Sequence, residues 1–237
     1  MKKLFSALLL MVSLHVAQAQ QTLINDENAE KRNISAFNGI SVAGGIDIYI
    51  TQGNEDGIAV SATETKYRDR IRTEVRDGIL SIWYENDGMH WPTGNKKLKA
   101  YISFKNISSL KASGASDVKI NGVLKAASLD LKLVGASDIK GVVDIEKLTA
   151  RISGASDMMV KGKVGMLDIE ASGASDVKDF DLVVQTCEAQ ASGASDIKIT
   201  VEKEISANAT GASDIVIRGN GVIKKMSKSG ASSIKKS

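Results

Sequence analysis

The tetrapeptide Gly154-Ala155-Ser156-Asp157 decides how this chain folds, because it returns five more times intact and once with its last residue changed. Gly-Ala-Ser begins at Gly114, Gly135, Gly154, Gly173, Gly193, Gly211 and Gly230. The next residue is Asp117, Asp138, Asp157, Asp176, Asp196 or Asp214 in six copies and Ser233 in the seventh. The intervals are 21, 19, 19, 20, 18 and 19 residues. Self-similarity at a period near 19 identifies a repeat architecture.

Aligning the copies on their glycine gives columns. Six residues before it stand Ser108, Leu129, Leu148, Leu167, Cys187, Ile205 and Lys224. Four before stand Leu110, Leu131, Ala150, Ile169, Ala189, Ala207 and Met226, and two before stand Ala112, Leu133, Ile152, Ala171, Ala191, Ala209 and Lys228. Four after stand Val118, Ile139, Met158, Val177, Ile197, Ile215 and Ile234, with polar residues between. Apolar spacing of two excludes helix in this half and predicts two short strands per repeat, with one turn at Gly-Ala-Ser-Asp and a second before the next copy. One such unit cannot bury its own apolar face, whereas stacked units turn the columns into interior ladders. The expected fold is therefore all-β, a parallel β-solenoid with coils of about 19 residues.

Each corner residue has a physical reason. Gly accepts φ > 0, Ala gives clearance, and Ser and Asp hydrogen-bond turn backbone. The six aspartates should stack in one column, where like charges about 4.8 Å apart repel by about 0.9 kcal/mol per pair in water. Lys119, Lys140, Lys178, Lys198 and Lys235 lie two residues further on. A lysine ladder beside an aspartate ladder neutralises it without a metal. A calcium ladder is the alternative, but the nine-residue calcium β-roll period is absent. The glycines and aspartates are thus read as a structural turn ladder, with no catalytic, cofactor or metal site. Lys224 and Lys228 fall in core columns of the last repeat, where lysines guard an exposed sheet edge.

The rest of the chain divides around this array. Residues 1–19 read as a cleaved signal peptide: Lys2 and Lys3, an apolar run from Leu4 to Val16 too short to span a bilayer, and Ala17-Gln18-Ala19. No Cys follows the cleavage site to carry a lipid. Residues 20–33 read as a flexible polar leader. Residues 34–105 alternate in short runs and form a less regular N-terminal β region, continuous with the regular repeats of 106–237. Within it Asp77-Gly78 is a hairpin turn signal, Thr65 to Ile71 allows one helical turn, and 88–97 is a loop.

The chain has 31 basic and 28 acidic residues; without Lys2 and Lys3 the balance is 29 against 28. Near-neutrality and 4% aromatic content argue against a nucleic-acid partner, which needs a basic stripe interleaved with aromatics. A single Cys excludes an internal disulfide framework, and Cys187 occupies a core column as a small hydrophobe. The aromatic residues concentrate in the N-terminal half. Trp83, Tyr84, His90, Trp91 and Tyr101 are the candidate contacts for a cell-surface or envelope protein or glycan.

Two segments carry a family resemblance. Phe37-Asn38-Gly39-Ile40 with Gly44-Gly45-Ile46-Asp47-Ile48-Tyr49-Ile50-Thr51-Gln52-Gly53, and the hairpin Glu74-Val75-Arg76-Asp77-Gly78-Ile79-Leu80, together with the repeats, resemble the head GIN domain family of autotransporter adhesins. The resemblance spans roughly Ile34 to Val216. It implies a right-handed β-helix, export to the periplasm, outer membrane or cell surface, and a non-catalytic adhesive role. A carbohydrate-binding or carbohydrate-active β-helix is the alternative, and end-to-end self-association a further expectation.

Overall fold

The computed structural model describes residues 26–86 and 95–237. The segment read as a signal peptide and residues 20–25 of the leader, with His90 and Trp91, lie outside them. The N-terminal half holds β1 (Glu30–Arg32), β2 (Gly39–Val42), β3 (Asp47–Gln52), β4 (Gly57–Ser61), the one-turn helix α1 (Thr65–Arg68), β5 (Ile71–Arg76), β6 (Ile79–Tyr84), β7 (Lys99–Phe104) and β8 (Ser109–Gly114). The long strands β9 (Val118–Gly135), β10 (Ile139–Gly154), β11 (Asp157–Gly173), β12 (Asp176–Ala191) and β13 (Asp196–Ala209) follow. The described chain closes with β14 (Asp214–Arg218), β15 (Val222–Lys228) and β16 (Ser233–Lys236).

β9 to β13 stack in parallel, each on the next, in a β-solenoid with the expected period. The expected apolar columns are its ladders: Leu129, Leu148, Leu167 and Cys187 pair in register, as do Leu131, Ala150, Ile169 and Ala189. All of these are buried. Two separate strands per repeat were expected; instead each coil is one strand from corner to corner. Its inward residues fall in three runs. Val177, then Leu182 and Val184, then Cys187, Ala189 and Ala191 are those of β12. The step of three between Val184 and Cys187 marks a further bend, which pairing continues through.

The N-terminal half is a cap with its own order. β2 and β3 form the first coil, and β8 and β9 stack on one side of it. On the other side lie β6 and β7, which come later in the chain than β3. The intervening β4 and β5 turn back antiparallel onto β7 and β6. The Asp77-Gly78 turn has φ of 51° and 76°, the left-handed pair that a tight hairpin requires. β1 pairs antiparallel with β4, so the end of the segment read as a flexible leader is a strand. It is held there because Asp26 accepts a hydrogen bond from the Tyr101 hydroxyl (2.7 Å) and Arg68 pairs with Glu30 (2.8 Å).

At the other end, a register shift between Ile205 and Ser206 against β15 changes the expected columns. Ile223 pairs with Ile205, and Ser206 with Lys225. Lys224 is the extra residue and so leaves the core column in which the sequence placed it. Its ammonium meets Glu204 at 3.1 Å. A bulge that expels a lysine from an apolar column avoids burying an unpaired charge.

Candidate functional site

The repeated corner carries a continuous ladder of polar side chains. Ser116, Ser137, Ser156, Ser175, Ser195 and Ser213 are each 0% exposed. The backbone N–H of Ser116 donates to Ser137 Oγ (3.2 Å), that of Ser137 to Ser156 Oγ (3.1 Å), and that of Ser156 to Ser175 Oγ (3.3 Å). Ser175 N–H continues the chain to Ser195 Oγ at 3.4 Å. The hydroxyls donate in turn to carbonyls three residues back, Ser137 to Val134 and Ser156 to Ser153. Ser137 and Ser156 therefore satisfy their own turns and tie one coil to the next.

The aspartates also act between coils. Asp117 Oδ1 accepts from Asp138 N–H (3.3 Å), Asp138 from Asp157 (3.0 Å), and Asp176 from Asp196 (3.1 Å). The expected lysine neutralisation is found at one place. Lys178 Nζ bridges Asp157 (2.7 Å) and Asp176 (3.1 Å), and those two hydrogen bonds raise its pKa. Lys119 instead lies over the Tyr49 ring at 5.9 Å. Among the described residues no three His, Cys, Asp or Glu side chains converge as a metal would need.

The glycines set the approach of the coils. Gly135, Gly173, Gly193, Gly211 and Gly230 have φ between 75° and 91°. A Cβ on Gly173 would stand 2.6 Å from the carbonyl oxygen of Gly154, and one on Gly211 would stand 2.7 Å from that of Gly193. The column tolerates no side chain because each glycine lies against the backbone of the one before.

The array has one more copy than the sequence reading counted. Ile48 pairs with Val118, so Gly44-Gly45-Ile46-Asp47 stacks on Gly114-Ala115-Ser116-Asp117. Gly44 has φ of 87°, and Ile46 N–H donates to Ser116 Oγ at 3.2 Å, as each serine does to the next. Burial, and then the neighbouring Asp117, raise the pKa of Asp47. The signal was Gly44 four residues ahead of Ile48, hidden by the 70-residue gap to the next copy and by Ile46 in the serine place.

Among the described residues, the aromatic candidates Trp83, Tyr84 and Tyr101 make no ring stack with one another. Tyr101 stacks on Tyr49 (centroids 5.2 Å apart, 26° between planes) in the outward column that continues as Lys119 and Lys140. Burial, with the Asp26 hydrogen bond, pushes the Tyr101 hydroxyl pKa far upward. Asp26 is held below the usual carboxylate range: burial opposes this, and hydrogen bonds from Tyr101 and Ser61 outweigh it. Tyr84 sits on β6 near Gly44, with Lys96 over its ring at 4.3 Å. Trp83, beside it in sequence, is 36% exposed and pairs across the hairpin with Arg72. His90 and Trp91 fall outside the described residues. Cys187 is buried, and burial pushes its thiol up to about 12, so it is no nucleophile at neutral pH.

The outward polar face before the corner changes character along the axis. Arg151 grips Asp168 with two hydrogen bonds (3.1 and 2.9 Å) and meets Glu170 at 3.3 Å. Further along, Glu188, Gln190, Ser206, Asn208, Lys225 and Ser227 line a shallow trough of about 320 Å³.

Comparison with known proteins agrees with this architecture. A chain from Bacteroides fragilis NCTC 9343 described as a "putative adhesin" superposes with a TM-score of 0.79 at 24% identity, covering 88% of this chain and 96% of that one. A "putative lipid binding protein" from Parabacteroides distasonis ATCC 8503 gives 0.69 at 19% identity, with 90% and 98% covered. A "putative adhesin" from Parabacteroides merdae ATCC 43184 gives 0.66 at 18% identity, with 88% and 95% covered. At these identities the likeness is one of fold. A search of curated proteins returned no significant match. The profile of the family described as "Putative auto-transporter adhesin, head GIN domain" matches residues 36–221, nearly the whole of the solenoid and its cap, and the chain therefore belongs to the head GIN domain family.

Proposed function

We propose that this protein is an exported, non-catalytic interaction module of the cell envelope, whose sheet faces and N-terminal cap contact a cell-surface protein or glycan. The observation that carries this reading is where the repeated polar residues are spent. The Ser and Asp of each corner bond the neighbouring coil, so the most repeated chemistry in the chain builds a scaffold. The outward face before the corner changes along that scaffold, from the paired Arg151 and Asp168 to the trough around Ser206 and Asn208. A rigid rod with variable faces suits recognition. Membership of an adhesin family supports the same reading.

The test pairs binding with turnover. The protein is incubated with intact cells, with a glycan array and with a panel of polysaccharides assayed for new reducing ends. Saturable binding to cells or to the array without new reducing ends is the expected result. Release of reducing ends from any polysaccharide would replace this reading with the carbohydrate-active one. Surface proteolysis of intact cells would place the protein on one side of the outer membrane.

A further inference from the structure

The last coil differs from the rest of the chain in charge. From Arg218 to Ser237 there are six basic residues and no acidic one, leaving 25 basic and 28 acidic residues elsewhere. Lys224 pairs with Glu204, Lys236 donates to the Gly221 carbonyl (2.8 Å), and Arg218 lies over the Phe180 ring (3.8 Å). Lys225, Lys228 and Lys235 are exposed and have no ion-pair partner among the described residues. Interleaved with them are Val222, 59% exposed, and Met226, 52% exposed. These are the most exposed large hydrophobic residues of the described chain apart from Met166 at 54%.

We propose that this end of the solenoid docks on an anionic lipid surface, with Lys225, Lys228 and Lys235 over the headgroups and Val222 and Met226 in the interfacial layer. Lysines guarding a sheet edge against aggregation need only charge. The apolar tips among them lose free energy in water and regain it in the headgroup and acyl boundary. A soluble polyanion would use the lysines and leave Val222 and Met226 exposed, which is why a lipid surface is the better fit. Docked in this way, the rod stands on its last coil and holds the capped end, with Trp83, away from the membrane. The inference is independent of the adhesive reading.

Sedimentation with vesicles tests it, using the chain from Gln20 onward so that the Leu4–Val16 run contributes nothing. Binding to mixed phosphatidylcholine and phosphatidylglycerol vesicles, weakening as salt is raised and absent with pure phosphatidylcholine, is expected. Each lysine near such a surface is worth about fivefold in affinity, so K225E/K228E/K235E should lose at least about a hundredfold. V222S/M226S should lose about tenfold and keep its salt dependence. Melting curves matched to the parent show that both variants fold, and the salt series on the parent stands without them. Failure of the parent to bind the anionic vesicles overturns the proposal. So does unchanged vesicle binding by V222S/M226S together with equally tight binding of soluble dextran sulfate, since that describes a polyanion site.

Discussion

Each coil has a corner of constant length and bends whose length varies. All the variation in repeat length falls outside the Gly-Ala-Ser-Asp corner. Register shifts lie at Lys140/Val142, Met158/Gly162 and Lys178/Val183 after it, and at Val184/Thr186 and Ile205/Ser206 in the next bend. Across the corner itself the pairing offset is preserved. Ala171 pairs with Ala191 before it and Asp176 with Asp196 after it, the same step of 20. Backbone packed on backbone with a serine hydroxyl between coils leaves no room for an extra residue. The outer bends have that room, and glycine there is replaced by Asp179-Phe180-Asp181 in one coil.

The largest effect should come from the corner glycines. Gly173→Ala puts a Cβ against the Gly154 carbonyl and strains a positive φ, and should cost about 3 kcal/mol or more. Gly122 lies in an outer bend at φ 77° with nothing near its would-be Cβ, so Gly122→Ala should cost only about 1 kcal/mol. Urea unfolding of the two variants compares them directly, and equal losses would erase the distinction between the bends.

Ser156→Ala should be next. It removes the acceptor of a buried Ser137 N–H and should cost about 1–3 kcal/mol. Faster hydrogen exchange at Ser137 than at Ser116 in that variant would show the loss to be local, whereas an unchanged exchange pattern would deny the inter-coil bond its role.

A smaller effect should appear in acid, at the N-terminal cap. The folded pKa of Asp26 lies below its unfolded value. Its contribution is therefore complete above the unfolded value, near 4, and is lost as pH falls through the folded one. Asp26→Asn should unfold more easily than the parent at about pH 7, with the gap closing at lower pH. A pH-independent gap would assign the effect to packing alone. The smallest signal is chemical: Cys187 should react with a thiol reagent only as fast as the protein unfolds, and rapid native-state labelling would contradict its burial.

The regular coils were legible in the sequence because one residue type holds one column at a fixed interval. Leu148 and Leu167 align by counting alone. The extra corner at Gly44 was not, since 70 residues and two antiparallel excursions separate it from Gly114. The third bend was missed because Val184 to Cys187 is a single step of three inside an alternation of two. Lys224 was misplaced by a one-residue bulge that no propensity marks. For the candidate contact surface, the sequence brought the aromatic residues together by proximity in the chain. Among the described ones, the strand order places Tyr101 beside Tyr49 rather than beside Trp83.

The most direct measurement inserts a single alanine at two places in the same coil, once after Phe180 in the outer bend and once after Ala174 inside the Gly-Ala-Ser-Asp corner, and compares thermal melting. The outer insertion should cost less than about 1 kcal/mol, as a lengthened loop does. The corner insertion should abolish cooperative unfolding, because it breaks the serine ladder and the glycine contacts together. Comparable melting of the two proteins would contradict the claim that this corner alone fixes the register of the coils.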